Sequence, residues 1–180
     1  DELVNEEMKA IGTRGGLSLG NFVQIAGSRG SGKSSIMLKM LTGFSNYEKV
    51  CWFDFEMGED RVVKKLEDFS HNDENMLYYS SSRALNDVVD EIKFLNSLGV
   101  NHFVIDSAMK IQVPNADKYD RFSTISSYLA ELTSSLGINV YMINQMAQSS
   151  EREGHLAIKH GNDAEYDADF IFYILTKPLI

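Results

Sequence analysis

Along this chain, short runs of nearly continuous apolar residues alternate with longer stretches in which apolar positions recur every three or four residues. Residues 22–26, 49–56, 76–79, 102–107, 137–145 and 168–175 are of the first kind and predict strands, most of them apolar on both faces as in a buried parallel sheet. Helical spacing fills the gaps between them. Ile36, Met37, Met40 and Leu41 follow Lys33 as far as Gly43, and Val62, Val63, Leu66 and Phe69 mark a helix over 60–69. Leu85, Val88, Val89, Ile92 and Leu95 mark another from Ala84 to Leu98, and Phe122, Ile125, Leu129, Leu132 and Leu136 a further one. A short polar helix is predicted from Glu2 to Ile11. This alternation predicts an α/β domain, with a mostly parallel central sheet and helices on both faces.

Turn-forming residues set the expected boundaries. Gly15, Gly16 and Gly20 lead into the first strand, Ser81 or Ser82 can cap the helix from Ala84, and Gly43 and Gly99 can end the helices before them. Two connections are irregular. One covers residues 108–118; the other runs from Met146 to Gly161 and is long, polar and low in apolar residues, which marks it as a candidate mobile functional loop. There is no internal repeat or low-complexity tract.

Composition narrows the class. The 180 residues suffice for one α/β domain with a substantial core, and 43% hydrophobic with 24% charged residues is ordinary for a globular protein. No run approaches the roughly 18 apolar residues of a membrane span. The N-terminus has neither a basic start nor an apolar run, so a cytoplasmic protein is expected. The single cysteine, Cys51, falls within an apolar run, which excludes a disulfide framework and a cysteine metal site and predicts a core position. A net charge of −9 argues against a uniformly basic surface for nucleic acid and leaves only a local patch for that purpose. The chain starts at Asp1 without methionine and stops in Thr176-Lys177-Pro178-Leu179-Ile180. A fragment of a longer protein is therefore expected, forming a single domain with residues 1–14 as a lead-in.

The candidate chemistry begins at Gly27-Ser28-Arg29-Gly30-Ser31-Gly32-Lys33-Ser34, which fits the phosphate-binding pattern G-x-x-x-x-G-K-[ST] at every fixed position. Glycines at 27, 30 and 32 leave backbone N–H groups free to wrap a phosphate. The helix that begins near Lys33 aims the positive end of its dipole at the same oxygens. Lys33 is expected to reach the β- and γ-phosphates, the Ser34 hydroxyl to bind Mg²⁺, and Ser35 to belong to the same ATP-binding loop.

Acids and an amide end the other strands. Strand period places Asp54 and Glu56 on one face near the end of the 49–56 run, and ligands of open α/β sheets sit outside the carboxyl ends of the strands. Either acid could take a proton from an attacking water or orient it; both could instead merely lead into the next helix, where Glu59 and Asp60 suit a first turn. Val104-Ile105-Asp106-Ser107 has the form of a Walker B segment, whose aspartate holds Mg²⁺ directly or through water. Gln145 could hydrogen-bond a γ-phosphate and report its loss to the residues that follow.

Together these motifs resemble the RecA-like ATPases, and more closely the hexameric replicative helicases of the DnaB type with their phage and plasmid relatives, from Gly15-Gly16-Leu17 to Tyr173. Phe53-Asp54-Phe55-Glu56-Met57 is similar to the segment bearing that family's catalytic glutamate, which favours Glu56 as the residue activating water. Ile143-Asn144-Gln145 is similar to the pair whose glutamine senses the γ-phosphate. Lys159-His160-Gly161 and Tyr166-Asp167-Ala168-Asp169 resemble the later motifs of DnaB-type helicases. The resemblance implies a RecA-like P-loop NTPase fold, ATP and Mg²⁺ as cofactors, helicase activity in DNA replication, and a homo-oligomer in the form of a hexameric ring. It also implies that the loops after Asp106 and Gln145 line a central channel and hold single-stranded DNA. In those loops Lys110, Lys118, Arg121, Arg152 and Lys159 are interleaved with Asp117, Asp120, Glu151 and Glu153, a departure from the net positive charge that phosphate binding needs. The family's trans-acting finger lies at or beyond the end of this chain, where Lys177 is a weak match. The alternative is a RecA-like regulatory or recombination-mediator ATPase that uses ATP as a switch. Small-molecule phosphoryl transfer would need a lid and an acceptor pocket that the sequence does not offer.

Overall fold

The computed structural model describes residues 18–146, 158 and 167–175. The six apolar runs form one sheet: β1 (Phe22–Gly27), β2 (Lys49–Asp54), β3 (Met76–Tyr79), β4 (Val100–Asp106), β5 (Asn139–Gln145) and β6 (Phe170–Ile174), in the spatial order β3-β2-β4-β5-β1-β6. Every pairing between them is parallel. The connecting helices are α1 (Lys33–Ser45), α2 (Glu59–Leu66), α3 (Leu85–Ser97) and α4 (Lys118–Leu136), with a 3-10 turn at Ala108–Lys110.

Because successive side chains of a strand point to opposite faces, the core divides in two. Val23, Ile25, Val50, Trp52, Val104, Tyr141 and Ile143 pack with Met37, Leu38 and Leu41 of α1 and Val62 of α2. Phe22, Ala26, Cys51, Phe53, Phe103, Ile105, Val140 and Met142 pack with Val88 and Ile92 of α3 and Ile125 and Leu129 of α4. The expected parallel sheet, covered on both faces, is therefore what forms. Cys51 is fully buried, and burial pushes its thiol far above the usual range, which leaves it inert.

Several boundaries differ from the pattern for identifiable reasons. Gly43 does not end α1: the helix runs on to Ser45, whose hydroxyl donates to the Thr42 carbonyl, and the Asn46 amide donates to the Thr42 and Gly43 carbonyls of the last turn. α2 stops at Leu66, and Val63 is 49% exposed because it lies about 100° round the helix from the buried Val62. Neither Ser81 nor Ser82 is the N-cap of α3, which is Ala84; the Ser82 hydroxyl donates to Asp87 and accepts the Ala84 N–H. β6 is half-buried where a buried strand is predicted, since it borders β1 at the end of the strand order. Asp169 pins its start, accepting the Phe22 N–H on its carboxylate at 2.7 Å while its own N–H donates to the Phe22 carbonyl at 2.9 Å.

The helix predicted over Glu2–Ile11, the Gly15-Gly16-Leu17 turn, Glu151, Arg152, Glu153, Lys159-His160-Gly161 and Lys177 lie outside the described residues. Of the segment from Met146 to Gly161, Met146 and Ile158 are described, both buried and joined by an isolated antiparallel bridge. Among the described residues no helix is long and apolar enough to cross a membrane.

Candidate active site

Parallel strands deliver their carboxyl ends to one rim of the sheet, where open α/β folds bind ligands. The register sets Gly27 beside Gln145 and Asp54 beside Asp106 along that rim. A cavity of about 280 Å³ opens there, walled by Arg29, Gly30, Gly32, Lys33, Ser34 and Ser35 on one side and by Glu56, Asp106 and Gln145 on the other. This volume lies at the lower end of the roughly 300–1,000 Å³ of small-molecule pockets and suits a phosphate chain better than a whole nucleotide.

The loop between β1 and α1 depends on glycine at two points. A Cβ on Gly27 would stand 2.7 Å from the Ile174 carbonyl oxygen and 2.7 Å from Ser31 Oγ, so only glycine lets β6 and the loop close on β1. Gly32 is the N-cap of α1 at a φ of 89°, in the left-handed region that favours glycine. Lys33 is buried, and its ammonium donates to the Gly27 carbonyl at 2.9 Å and the Ser28 carbonyl at 2.6 Å. Gly27, Ser28 and Ser31 thus form the back of the loop while its other residues face the cavity.

The two acids that end the second apolar run do different work. Asp54 is buried and accepts four hydrogen bonds: from the N–H groups of Glu56 at 3.0 Å, Met57 at 2.8 Å and Gly58 at 2.7 Å, and from the Tyr78 hydroxyl at 2.9 Å. These bonds replace the strand ladder and end β2 at residue 54, two residues before the apolar run does. Burial, reinforced by the bond to Asp54, pushes the Tyr78 hydroxyl up to about 12 and keeps it a donor. Glu56 is exposed at the cavity wall, its carboxylate accepting the Ser107 hydroxyl at 2.8 Å. Glu56 can meet a ligand; Asp54 is consumed in holding the turn.

Asp106 is buried at the end of β4 and hydrogen-bonded to Ser34, while its Oδ2 has no partner. An orphaned carboxylate oxygen beside a seryl hydroxyl is a hard-oxygen donor pair of the kind Mg²⁺ accepts. Among the described residues there is no cluster of three His, Cys, Asp or Glu side chains placed to hold a metal. A cation here would complete its shell from phosphate oxygens and water, which is the usual manner of Mg²⁺. Burial pushes the Asp106 carboxyl up to about 6; the Ser34 bond and Lys33 oppose this, and the Glu56 and Asp54 carboxylates add to it.

That shift has a sign that can be measured. Between the ordinary aspartate value of 3.8 and about 6, the folded state keeps a proton on Asp106 that the unfolded chain has already released. Stability therefore falls as pH rises across this window and is independent of this group above it. Asp106→Asn removes the effect. In metal-free buffer the melting temperature of Asp106→Asn relative to the unsubstituted protein is expected to rise between about pH 4 and 6 and then level off; a difference that is flat with pH would contradict the burial of an ionising group here.

Neither a protein-family model nor a curated protein sequence matches this chain. Solved structures do. The ATPase domain of one DnaB-like replicative helicase superposes with a TM-score of 0.78 at 18% sequence identity, covering 97% of this chain and 82% of that one. A second DnaB-like replicative helicase, described with its interactions with primase, superposes with a TM-score of 0.79 at 20% identity, covering 92% of this chain and 50% of that one. The fold is RecA-like, of the DnaB-helicase type. This chain spans half the length of the second protein.

Within this RecA-like core, Arg29, Gly30, Gly32, Lys33, Ser34, Ser35, Glu56, Asp106 and Gln145 converge on the cavity. Ser107 and Lys65 join them without having been singled out in the sequence. Ser107 matters because it orients Glu56. Lys65 arrives from α2, its ammonium donating to the Ser35 hydroxyl at 2.6 Å; its only trace in the pattern is a place beside the buried Val62 and Leu66 stripe. Behind Gln145, the Asn144 amide donates to the Gln24 side-chain oxygen at 3.1 Å and Gln24 donates to Ser126 of α4 at 3.4 Å. This buried polar chain ties the end of β5 to β1 and α4. On the opposite flank, Lys110 is exposed after the 3-10 turn that follows Asp106.

Proposed function

We propose that this chain is the ATP-hydrolysing motor domain of a DNA helicase, acting in a homo-oligomeric, hexameric ring that translocates on single-stranded DNA. The observation that carries the reading is the convergence of Lys33, Ser34, Asp106, Glu56 and Gln145 on one cleft of a RecA-like fold. In this reading the loop from Gly27 to Ser35 holds the phosphate chain through its N–H groups, and Lys33 exchanges its loop carbonyls for β- and γ-phosphate oxygens. Ser34 and Asp106 would hold Mg²⁺, which when bound neutralises charge on the phosphate oxygens. Glu56, steadied by the Ser107 hydroxyl, takes the proton of the attacking water, so that hydroxide equivalent adds to the γ-phosphorus as the bond to the β-phosphate oxygen breaks. Gln145 hydrogen-bonds the γ-phosphate. Its loss on hydrolysis is passed along β5 to Met146 and the segment beyond, and the neighbouring subunit supplies the remaining cation at the interface.

The test is steady-state ATP hydrolysis by the complete protein, with and without single-stranded DNA, at low and moderate salt. Strong stimulation that fades as salt rises is the expected result, because the strand is held through its phosphates. Hydrolysis that DNA leaves unchanged would keep the ATPase and replace the motor with a nucleotide-driven switch; no hydrolysis under any condition would overturn the reading.

A further inference from the structure

We propose that Lys65 is a second cation of the phosphate site, contacting the α- and β-phosphate end of a bound nucleotide, away from the metal. The inference rests on the reading of the cleft as a nucleotide site and adds a residue that no motif in the chain marks.

Of the three basic side chains in α2, Arg61 and Lys64 are exposed, whereas Lys65 is half-buried and folds back onto the loop. Its ammonium lines the cavity and donates to the neutral Ser35 hydroxyl. None of the ion pairs among the described residues involves it. A partly desolvated cation without an anion is costly, and an ammonium has three protons, of which one goes to Ser35 and two are left for a ligand. An anionic oxygen in the cavity satisfies both conditions.

Which phosphates it meets follows from the two serines at the start of α1. Ser34 turns its hydroxyl to Asp106, toward the metal-binding side, while Ser35 turns its own to Lys65. Adjacent residues of a helix point about 100° apart, so Lys65 addresses the flank of the phosphate chain opposite the cation. The groups there are common to nucleoside di- and triphosphates. Because α2 begins just past Glu56, the same contact ties the segment that carries Glu56 to the nucleotide.

The experiment is calorimetric titration of ATP and of ADP into the complete protein and its Lys65→Met and Lys65→Arg variants, each with Mg²⁺ and with EDTA. Methionine keeps the aliphatic stem, and an unchanged melting temperature certifies the fold. Lys65→Met is expected to weaken ATP and ADP alike by about tenfold or more, the size of a lost charged hydrogen bond, with or without Mg²⁺, and Lys65→Arg to recover most of the loss. Unchanged affinity in Lys65→Met would overturn the proposal. So would a loss confined to ATP, which would put Lys65 at the γ-phosphate. If the unsubstituted protein bound neither nucleotide, the reading of the cleft would fall with it; normal binding with an indifferent Lys65→Met removes this inference alone.

Discussion

Lys33→Ala is expected to abolish ATP binding, weakening it by at least about a hundredfold on the scale of two charged hydrogen bonds lost together. The buried ammonium has two tasks. It holds the loop by donating to the Gly27 and Ser28 carbonyls, and it is the cation closest in sequence to the cradle that the triphosphate must enter. Without it the phosphate oxygens would face Asp106 and Glu56 with less opposing charge, and the carbonyls of residues 27 and 28 would point toward the anion unmasked. Titration of ATP into the variant measures the loss. Affinity equal to that of the unsubstituted protein would refute the assignment of the loop.

Glu56→Gln and Asp54→Asn are expected to separate turnover from folding. Glutamine keeps the shape of Glu56 and an oxygen for the Ser107 hydroxyl, so ATP still binds, but the side chain no longer accepts a proton. Hydrolysis should fall by on the order of 10²-fold or more. Asparagine at 54 places an NH₂ group against donors on one side, because the carboxylate there receives three backbone N–H groups and the Tyr78 hydroxyl. Its cost appears as a lowered melting temperature, on the order of 1–3 kcal/mol for an unsatisfied buried pair. Near-normal turnover in Glu56→Gln, with a stable but inactive Asp54→Asn, would exchange the two roles.

The strands and the phosphate loop were legible because both are written in short-range pattern. Apolar runs without alternation mean burial on both faces of a sheet, and Gly27 to Ser34 is a contiguous motif. What escaped was whatever a side chain decides across a distance. Strand period alone puts Asp54 and Glu56 on one face, yet Asp54 folds back on the next three amides and so releases Glu56 toward the cavity. Gly43 has the composition of a helix end, but Asn46 supplies the donors that the last carbonyls need, and α1 continues. Lys65 could not be read from a list of charges in α2; only the packing of that helix brings it to Ser35, thirty residues earlier.

The packing of Trp52 has a practical consequence. It is the chain's single tryptophan, fully buried on β2 with its indole N–H unpartnered, two residues before the turn that Asp54 holds. The folded protein therefore carries one built-in fluorophore in an apolar setting, with emission to the blue of indole in water. Separating α1 and α2 from the sheet wets that ring and shifts the emission to the red, so the unfolding of the Asp54 and Asp106 variants can be followed optically without a label.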